Sequence, residues 1–554
     1  MNAEESILKM ELQAVQQPFM RGYFEEALDE MDVKTMESGL SSEGWFPDLD
    51  HSIESPQKAM QRLACIAVKY HWNQRGLWPS GSLKERVLKG AVNYCKMETA
   101  RKDRGASRFH MSIFRMPVCA LNIYFALHPD LADAKDGLEL QAKRALLDVA
   151  LQTFTLPERG DETDQNPFDI ERFRGHVWWE GANALSYRPV FRTALAWRSE
   201  KMVRTLVEVS IRSLTPTSKA ACKTSFWGEG ICADGFGWGH GRQSYNNGYP
   251  TEGVLAALEI LSFLKDTVWE KEIERVRFDV VIHFMKGIAW STYKGRNAPV
   301  QTRNIFLRQS EILRKKIMTS AECALLIKES LLEHFRPYLT EGQVWEVSEF
   351  EPEAEDGIRY FWNNDALVLK SPHHYFYFNM ASARCDGVEF AAEMADKRNY
   401  FTADGTAVFL REGNEYSDAM GTWDVCHLPG VTERFLPNQD LLTETNWHGY
   451  RSIHPFAAGV TNGAYGAAGF IFEKDGSREK DGSGKLYCEF SREMLGVLAY
   501  KSCFIFGDII LFLGAGITDR NPEYGREIHT TVENTICMEE PVIHEDEKEI
   551  AVEH

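Results

Sequence analysis

One stretch of this chain gathers residues that can transfer protons next to aromatic rings. Residues 234–250 read DGFGWGHGRQSYNNGYP and contain His240, Tyr245 and Tyr249 among five glycines. Histidine and tyrosine can each donate or accept a proton, and glycine lets a backbone approach a ligand closely. Trp238 and the tyrosines could line a sugar site, because the C–H faces of a sugar stack on aromatic rings.

The glycines of residues 234–250 do not predict a phosphate-binding loop. An apolar strand would have to precede them and a GK[ST] ending would have to follow, and the sequence has neither. The remaining alternative is that His240 and Tyr249 only satisfy hydrogen bonds within a loop. The residue types alone leave both interpretations open.

The elements that must position this stretch change in type along the chain. Apolar residues recur at i, i+3, i+4 and i+7 in the first part, which predicts helices. These helices cover residues 59–70, 83–100, 117–127, 142–154, 189–212, 251–263, 280–291 and 321–335. An acidic segment, EFEPEAEDG at 349–357, precedes a part in which the period is two.

That second part predicts antiparallel strands. They cover residues 365–370, 374–381, 406–411, 466–472, 485–490 and 502–513. We therefore expect an α+β protein with two domains, a helical domain over 1–345 and an antiparallel β-sandwich domain over 346–554. Helices in one block without strands between them favour a helical toroid or solenoid.

Composition excludes several classes of protein. The 554 residues are 44% hydrophobic, which is too apolar for a disordered chain. With 62 basic and 81 acidic residues, the net charge of −19 argues against a nucleic-acid binder. Eleven cysteines occur singly, without zinc spacing, which predicts buried thiols. No apolar run is long enough to cross a membrane.

The spacing His240-x8-Tyr249 resembles the catalytic segment of the chondroitin AC, hyaluronan and xanthan lyases. Further pieces resemble elements of that polysaccharide lyase family in the same order. They are WFPDLD at 45–50, GAN at 181–183, KGR at 294–296, 382–405 ending in TADG, WDVCHLPGVT at 423–432, GVTNGAYG at 459–466 and KSCFIFGDIILFLGAGI at 501–517. The resemblance spans about residues 45–535.

The resemblance implies an α/α toroid, an incomplete helical barrel, followed by an antiparallel β-supersandwich. It implies cleavage of a uronic-acid-containing glycosaminoglycan, such as chondroitin sulfate or hyaluronan, by β-elimination that leaves an unsaturated uronate. The implied reaction requires no cofactor and no metal. The resemblance also implies a monomer whose partner is an anionic polysaccharide, without nucleic acid or membrane. Because such substrates lie outside cells, we expect a secreted or periplasmic protein whose leader is absent here.

The family's catalytic residues carry over to Asn183, His240, Tyr249, Arg296 and Glu389. Asn183 and His240 would face the uronate carboxylate and stabilise the charge that forms when C5 loses its proton. Tyr249 would take that proton and then protonate the leaving oxygen, with Arg296 beside its phenol to lower the pKa. Glu389 would hold this arrangement.

Two of these assignments have competitors in the sequence. Glu393 competes with Glu389, because the loop up to TADG is one residue longer than the family pattern. Tyr245 is the alternative base, since a shift of register would put it in the place of Tyr249.

The substrate-binding residues depart from the family pattern. Where the family carries a tryptophan pair on an early helix, this chain has SRFHMSIFRMP at 107–117, with Phe109 and His110 in place of the tryptophans. Arginine forks suit sulfate or carboxylate groups. The predicted binding residues are Phe109, His110, Trp178, Trp179, Trp238, Arg242 and Arg303. Arg188, Arg192 and Lys294 add to a predicted basic cleft.

Other functions remain open at this stage. A toroid glycoside hydrolase would need two carboxylates about 5–10 Å apart, and Asp161, Glu162, Asp164 and Asp169 are candidates. A lyase for heparin or alginate, or a non-catalytic glycan-binding protein, would fit the same elements. The chain ends soon after TTVEN at 530–534, where relatives continue.

Overall fold

The protein is described here from a computed structural model of the whole chain. The structure describes residues 1–16, 33–49, 55–72, 78, 80–101, 110–155, 168–170, 173, 183–217, 228–298, 318–387, 401, 404–416, 427–436, 452–473, 496–535, 542–545 and 548–550. In these residues, helices precede a series of antiparallel sheets.

Spatial proximity divides the chain into two compact units. The first holds Met1–Leu214 and Gly253–Arg277, and the second holds Thr215–Glu252 and Phe278–His554. The predicted domain boundary between residues 345 and 346 falls inside the second unit and stays a prediction. It lies near the change in secondary structure, because the helix Glu341–Glu349 is followed by the strand Gly357–Phe361.

The first unit is built from helices in the part that the structure describes. Its α-helices are Ala3–Gln16, Val33–Gly39, Ser55–Trp72, Gly81–Thr99, Met116–Ala126, His128–Leu131, Gly137–Thr155, Val190–Ala196 and Glu200–Ser213. Its other helical segments are the π-helical turns His110–Arg115 and Asn183–Tyr187 and the 3-10 turn Glu270–Arg275. The helix Tyr249–Ser262 begins in the sequence of the second unit.

The single helix predicted over 189–212 is wrong, because the structure has two helices with a break at residues 197–199. Arg198 has a φ of 48° at this break, a left-handed conformation that interrupts a helix. Its Nε donates to Glu11 Oε2 at 2.7 Å. Ser199 then caps the second helix by accepting a hydrogen bond from the Met202 N–H. The break is thus set by a partner far away in the sequence.

Glu11 is the polar centre of the first unit. Its fully buried carboxylate accepts hydrogen bonds from the Tyr124 hydroxyl at 2.8 Å, from His128 Nε2 at 3.0 Å and from Arg198. Burial raises the pKa of this carboxyl, but the bonds from His128, Tyr124 and Arg198 outweigh burial and hold the pKa below its usual value. The N-terminal helix, which the sequence analysis missed, is therefore fixed by a buried charge as well as by Ile7 and Met10.

The second unit contains short helices as well as its sheets. The α-helices are Phe278–Ile288, Ser320–His334 and Glu341–Glu349, and the 3-10 turns are Ala289–Ser291, Arg336–Tyr338, Pro352–Ala354 and Pro522–Tyr524. Complete capping boxes begin two of these helices, since Thr319 pairs with Glu322 and Thr340 with Gln343.

The strands of the second unit form several antiparallel sheets. They are β1 Gly230–Ile231, β2 Gly237–Gly239, β3 Gln243–Ser244, β4 Thr292–Tyr293, β5 Arg296–Asn297, β6 Gly357–Phe361, β7 Ala366–Lys370, β8 Tyr375–Asn379, β9 Thr406–Leu410, β10 Thr432–Arg434, β11 Ala457–Thr461, β12 Tyr465–Glu473, β13 Val497–Phe506, β14 Ile509–Asp519, β15 Ile528–Thr530, β16 Ile543–Glu545 and β17 Lys548–Ile550. The sheet orders are β1-β2-β3, β4-β5, β6-β7-β8-β9, β10-β15, β11-β12-β13-β14 and β16-β17.

The core of the second unit lies between the two four-stranded sheets. The rings of Phe376 and Phe378 on β8 contact the ring of Phe512 on β14, with centroids 5.5 and 5.6 Å apart. Phe378 also meets Phe470 on β12 at 6.0 Å. This packing of two sheet faces agrees with the predicted sandwich.

The other face of sheet β11–β14 is apolar and exposed. In the register of β13 with β14, Phe504 lies opposite Leu511 and Phe506 lies opposite Ile509. Residues opposite each other in a sheet share a face. The exposed large side chains of these strands that alternate onto this face are Val460, Tyr465, Tyr500, Phe506, Ile509, Leu511 and Leu513.

The strand predictions are confirmed for β7, β8, β9 and β12, within a few residues. The strand predicted over 502–513 is wrong, because the chain reverses at residues 507–508 to form the β13–β14 hairpin. Gly507 has a φ of 58° at this reversal, which glycine adopts without strain. The strand predicted over 485–490 lies outside the described residues.

We expect Glu11→Gln to lower the free energy of unfolding by about 3 kcal/mol at neutral pH, because it leaves buried donors without their charged partner. The folded-state pKa of Glu11 lies below the ordinary value of 4.5. Its contribution is therefore present above about pH 4.5 and is lost as the pH falls through the folded-state value. Chemical denaturation of wild type and variant between pH 7 and pH 3 measures this difference.

Glu4→Gln, an exposed change in the same helix, is the control and should leave stability unchanged. A difference between wild type and Glu11→Gln that stays constant down to pH 3 would contradict the assignment.

Candidate active site

Asp234 anchors the start of the glycine-rich stretch in the second unit. Its buried carboxylate accepts hydrogen bonds from the backbone N–H of Asn363 at 2.7 Å and from the backbone and side-chain N–H groups of Asn364. The Arg359 guanidinium donates to the Asp234 carbonyl at 2.7 Å. Burial raises the pKa of Asp234, although these hydrogen bonds and Arg359 oppose the rise. The turn between β6 and β7 therefore fixes where the stretch begins.

Asn246 fixes the middle of the stretch. Its side-chain oxygen accepts from the Gly237 N–H at 2.9 Å, and its Nδ2 donates to the Ser291 hydroxyl at 2.8 Å. Its carbonyl accepts from the Thr251 hydroxyl at 3.0 Å, next to the start of the helix that begins at Tyr249. One fully buried amide thus joins β2, the helix N-terminus and the segment before β4.

The rings of His240, Tyr245 and Tyr249 lie together. The centroids of His240 and Tyr249 are 4.6 Å apart, and those of Tyr245 and Tyr249 are 5.0 Å apart with ring planes within 14° of parallel. His240 is 6% exposed and Tyr245 is 2% exposed, whereas Tyr249 is half-buried. The structure therefore brings together the two residues that the sequence analysis assigned to proton transfer, with Tyr245 stacked on Tyr249.

Two glycines make this ring cluster possible. A Cβ at Gly248 would lie 2.2 Å from the Tyr245 ring, and a Cβ at Gly239 would lie 3.1 Å from the Tyr249 ring. At these two positions glycine accommodates the protein's own aromatic rings. The sequence analysis predicted that these glycines let the backbone approach a ligand. At Gly239 and Gly248 the close approach is instead to the rings of Tyr245 and Tyr249.

His240 is held in an unusual backbone conformation. Its φ is 50°, in the left-handed region that non-glycine residues rarely adopt. Its carbonyl accepts a hydrogen bond from Gln243 Nε2 at 2.9 Å, and the following Gly241 N–H donates to Glu229 at 3.0 Å. Such conformations cost about 1–3 kcal/mol and persist only where the surroundings enforce them.

Arg242 is bonded to the segment that leads to Glu389. It is 8% exposed, and its Nη1 donates to the Ala383 carbonyl at 3.1 Å. The Asp386 N–H donates to the Arg242 carbonyl at 2.9 Å. Glu389 itself lies outside the described residues, three positions after Asp386, as does its competitor Glu393. Burial of Arg242 favours a structural use of its guanidinium, and its predicted contact with substrate stays a prediction.

Arg296 lies on the β4–β5 hairpin. The two turn residues, Lys294 and Gly295, both have positive φ, at 47° and 70°, which suits a two-residue hairpin. Arg296 is exposed and pairs with Tyr293 across the hairpin. Ser291, which accepts from Asn246, directly precedes β4. The hairpin is therefore connected to the ring cluster through Asn246, and the contact of Arg296 with the Tyr249 phenol stays a prediction.

The other predicted site residues divide into two groups. Trp238 is 2% exposed within β2, which favours packing over sugar stacking. His110 is exposed at the start of a π-helical turn, with its ring 5.4 Å from that of Phe114. Of Asn183 only the backbone is described, at the start of the turn Asn183–Tyr187. The binding residues that lie outside the described part are Phe109, Trp178, Trp179 and Arg303.

Three members of the predicted basic cleft have partners within the protein. Arg188 is fully buried, donates to the Thr153 carbonyl and lies 5.6 Å from the Phe114 ring centroid. Arg192 is buried and donates to the Ala14 carbonyl. Lys294 donates to the Arg411 carbonyl at 2.6 Å. We assign Arg188 and Arg192 to packing of the first unit rather than to a ligand.

Sequence reasoning missed Asp234 and Asn246 as positioning residues. Both lie inside the stretch that it selected, but it considered the histidine, tyrosines and glycines. The available signal was their type, since Asp and Asn are the residues whose side chains most often bond to nearby backbone.

Among the described residues, no group of three or more His, Cys, Asp or Glu could hold a metal ion. The described cysteines are free and buried.

The arrangement can move a proton beside a hydrogen-bond donor. An imidazole and a phenol lie with their ring centroids 4.6 Å apart and their planes tilted by 35°, in a largely buried cluster on a backbone that is hydrogen-bonded on both sides. A low local dielectric strengthens the interaction of such donors with charge that develops in a reaction.

No helix in the described residues is both long and apolar enough to span a bilayer.

Comparison with known proteins finds a family model for the C-terminal part of the chain. The family model for the super-sandwich domain of polysaccharide lyase family 8 matches residues 356–553. Chondroitinase-AC of Pedobacter heparinus is 24% identical over 315 residues, which are 55% of this chain and 39% of that protein. The chain therefore spans well under half the length of this curated relative.

Solved structures show the same fold. The chondroitin AC lyase of Streptomyces coelicolor A3, solved with chondroitin sulphate, matches with a TM-score of 0.67 and 15% identity over 98% of this chain and 73% of that one. A xanthan lyase of Paenibacillus matches with a TM-score of 0.60 and 17% identity over 100% of this chain and 49% of that one. The predicted fold class, an α/α toroid followed by an antiparallel β-supersandwich, is confirmed.

The family model, the curated relative and the shared fold agree with the order of motifs along the sequence. Residues 356–553 therefore match the super-sandwich domain of polysaccharide lyase family 8, and the chain shares the fold of the chondroitin AC and xanthan lyases.

Proposed function

We propose that this protein is a polysaccharide lyase that cleaves a uronic-acid-containing glycosaminoglycan of the chondroitin sulfate or hyaluronan type by β-elimination. The observation that carries the proposal is the pairing of His240 and Tyr249, with ring centroids 4.6 Å apart, in a buried cluster. The match of residues 356–553 to the super-sandwich domain of polysaccharide lyase family 8 and the likeness to a chondroitinase-AC support the same reaction.

The proposed reaction balances without a co-reactant. In this proposal Tyr249 starts as a phenolate. The C5–H bond breaks and its proton passes to the Tyr249 oxygen, while the C5 electron pair forms the C4–C5 double bond. The C4–O bond breaks, and the leaving oxygen takes the proton from Tyr249, which returns to the phenolate. One tyrosine serves both steps because the proton and the leaving group lie on the same face of the sugar ring.

His240 stabilises the charge in this proposal. A C5 proton next to an ionised carboxylate is hard to remove, and a donor aimed at that carboxylate lowers the barrier. The enforced left-handed backbone of His240 presents its imidazole beside the Tyr249 ring. Asn183, Arg296 and Glu389 complete the proposed set by resemblance to the family. Because hydrogen-bond donors neutralise the carboxylate, the reaction requires no cofactor.

The natural substrate is proposed to be an anionic polysaccharide outside the cell, which makes a secreted or periplasmic location part of the proposal. A net charge of −19 disfavours diffuse attraction to such a substrate. Binding would therefore depend on local donors at the site.

We expect Tyr249→Phe to lower kcat by at least about 1,000-fold, because it removes both general base and general acid. The measurement is the absorbance of unsaturated uronate during incubation with chondroitin sulfate, hyaluronan and a panel of other uronate glycans. Substrate affinity, measured separately by calorimetry, should change little.

Tyr245→Phe is the matched control, since Tyr245 stacks on Tyr249 but is almost fully buried. It should keep most of the activity. Loss of activity in Tyr245→Phe with retention in Tyr249→Phe would reverse the assignment of the base. Product without the chromophore would indicate a hydrolase, and binding without turnover across the panel would indicate a non-catalytic protein.

We expect His240→Asn to lower kcat by about 100- to 1,000-fold, the usual effect of removing one donor to a developing negative charge. Asparagine tolerates the left-handed backbone, so this variant removes the imidazole without adding conformational strain. Circular dichroism and thermal melting should match the wild type. Wild-type kcat in His240→Asn would remove His240 from the mechanism.

A further inference from the structure

The turn between β6 and β7 bonds to a second segment through Asp365. This residue is fully buried, with a φ of 49°. Its carboxylate accepts hydrogen bonds from the Ser382 hydroxyl and from Arg384 Nη2. The Arg384 guanidinium also donates to the carbonyls of Pro455 at 3.1 Å and Ala457 at 2.6 Å. Arg384 therefore ties its own segment both to the β6–β7 turn and to the start of β11.

The segment that contains Arg384 holds the backbone beside His240. Arg242 donates to the Ala383 carbonyl, and the Arg242 carbonyl accepts from the Asp386 N–H and, at 3.2 Å, from the Cys385 thiol. Gln243 forms a parallel bridge with Asp386, and its side chain donates to the His240 carbonyl. A continuous path of hydrogen bonds thus runs from Asp365 to His240.

We propose that Asp365 and Arg384 are positioning residues for the reaction, which hold the segment 382–386 in place and thereby set the orientation of His240. This inference rests on the proposed function, in which His240 faces the uronate. Both residues act through the backbone of Arg242 and Gln243.

The electrostatics of Asp365 show how strongly it depends on Arg384. The charged or titratable groups that face it are Arg384, Asp234, Tyr360 and Cys385. Burial raises its pKa from 3.8 to about 6, although Arg384 and Ser382 oppose the rise. Since the folded-state value is the higher one, ionisation of Asp365 lowers the free energy of unfolding as the pH rises from about 4 to about 6. At neutral pH the ionised carboxylate therefore depends on Arg384 and Ser382, and loss of Arg384 leaves a buried charge without its partner.

Arg384→Met tests the positioning role. It keeps the aliphatic stem but removes the bonds to Asp365, Pro455 and Ala457, and it leaves the Asp365 charge buried without its partner. We expect a lower melting temperature and a kcat lower by about 10- to 100-fold, with KM within about threefold of the wild type, because a misplaced group costs the chemical step.

The double variant Arg384→Met/Asp365→Asn separates position from stability. Asparagine keeps the left-handed backbone and removes the unpaired charge, so the melting temperature should return toward that of the wild type. The kcat should stay low, because the guanidinium bridge is still missing. Recovery of kcat together with melting temperature would overturn the proposal.

A matched control uses another buried arginine pair of the second unit. Arg434 on β10 donates to Asp519 on β14 at 2.7 Å, and the arginine side chain is fully buried. Arg434→Met/Asp519→Asn should change the melting temperature without changing kcat. An equal loss of kcat in this control would show that the effect of Arg384→Met is not specific.

Amide hydrogen exchange gives a readout that does not depend on turnover. Arg384→Met should speed exchange in residues 382–386 and also in residues 241–245, whereas the control pair should leave 241–245 unchanged. Unchanged exchange at 241–245 in Arg384→Met overturns the positioning role. If the wild type yields no unsaturated product from any glycan, the proposed function fails, and the exchange result still decides whether Arg384 orders this backbone.

Discussion

The turn between β6 and β7 organises the second unit through two buried carboxylates, those of Asp234 and Asp365. Asp234 bonds to the backbone of Asn363 and Asn364 in the turn between β6 and β7, while Asp365 at the end of the same turn bonds to Ser382 and Arg384. Both carboxylates are desolvated and repel each other. Asp234 therefore depends on the donors of Asn363 and Asn364, and Asp365 depends on Ser382 and Arg384. The glycine-rich stretch and the segment 382–386 are consequently bonded to the same turn, which fixes their relative positions.

Aromatic packing then orients the side chains of the segments that the β6–β7 turn anchors. Once the two segments are anchored, the space between Gly239 and Gly248 accommodates Tyr245 and Tyr249 as a parallel pair, and His240 contacts that pair from the side. Close packing leaves such rings few alternative rotamers. Stacking on Tyr245 thus orients the ring of Tyr249, the proposed general base, and the constrained backbone orients the neighbouring imidazole.

The sequence predicted what depends on periodicity and motif, but not what depends on distant partners. The helices and most strands follow from the spacing of apolar residues, because burial of one face requires that spacing. His240 and Tyr249 were identified from type, spacing and family resemblance. The break at Arg198 was missed because its cause is Glu11, far away in the chain. Asp234 and Asp365 were missed for the same reason, since their partners lie on other elements.

The apolar outer face of sheet β11–β14 gives this acidic protein an unexpected dependence on salt. Water-exposed apolar surface gains about 25 cal/mol per Å² when it is covered, and among the described residues β14 is an edge strand with peptide groups open to pairing. Mutual repulsion of molecules with a charge of −19 opposes association through this face. That repulsion acts over about 10 Å at 0.1 M salt and over about 3 Å at 1 M. Salt that screens this repulsion therefore favours association through the exposed apolar face.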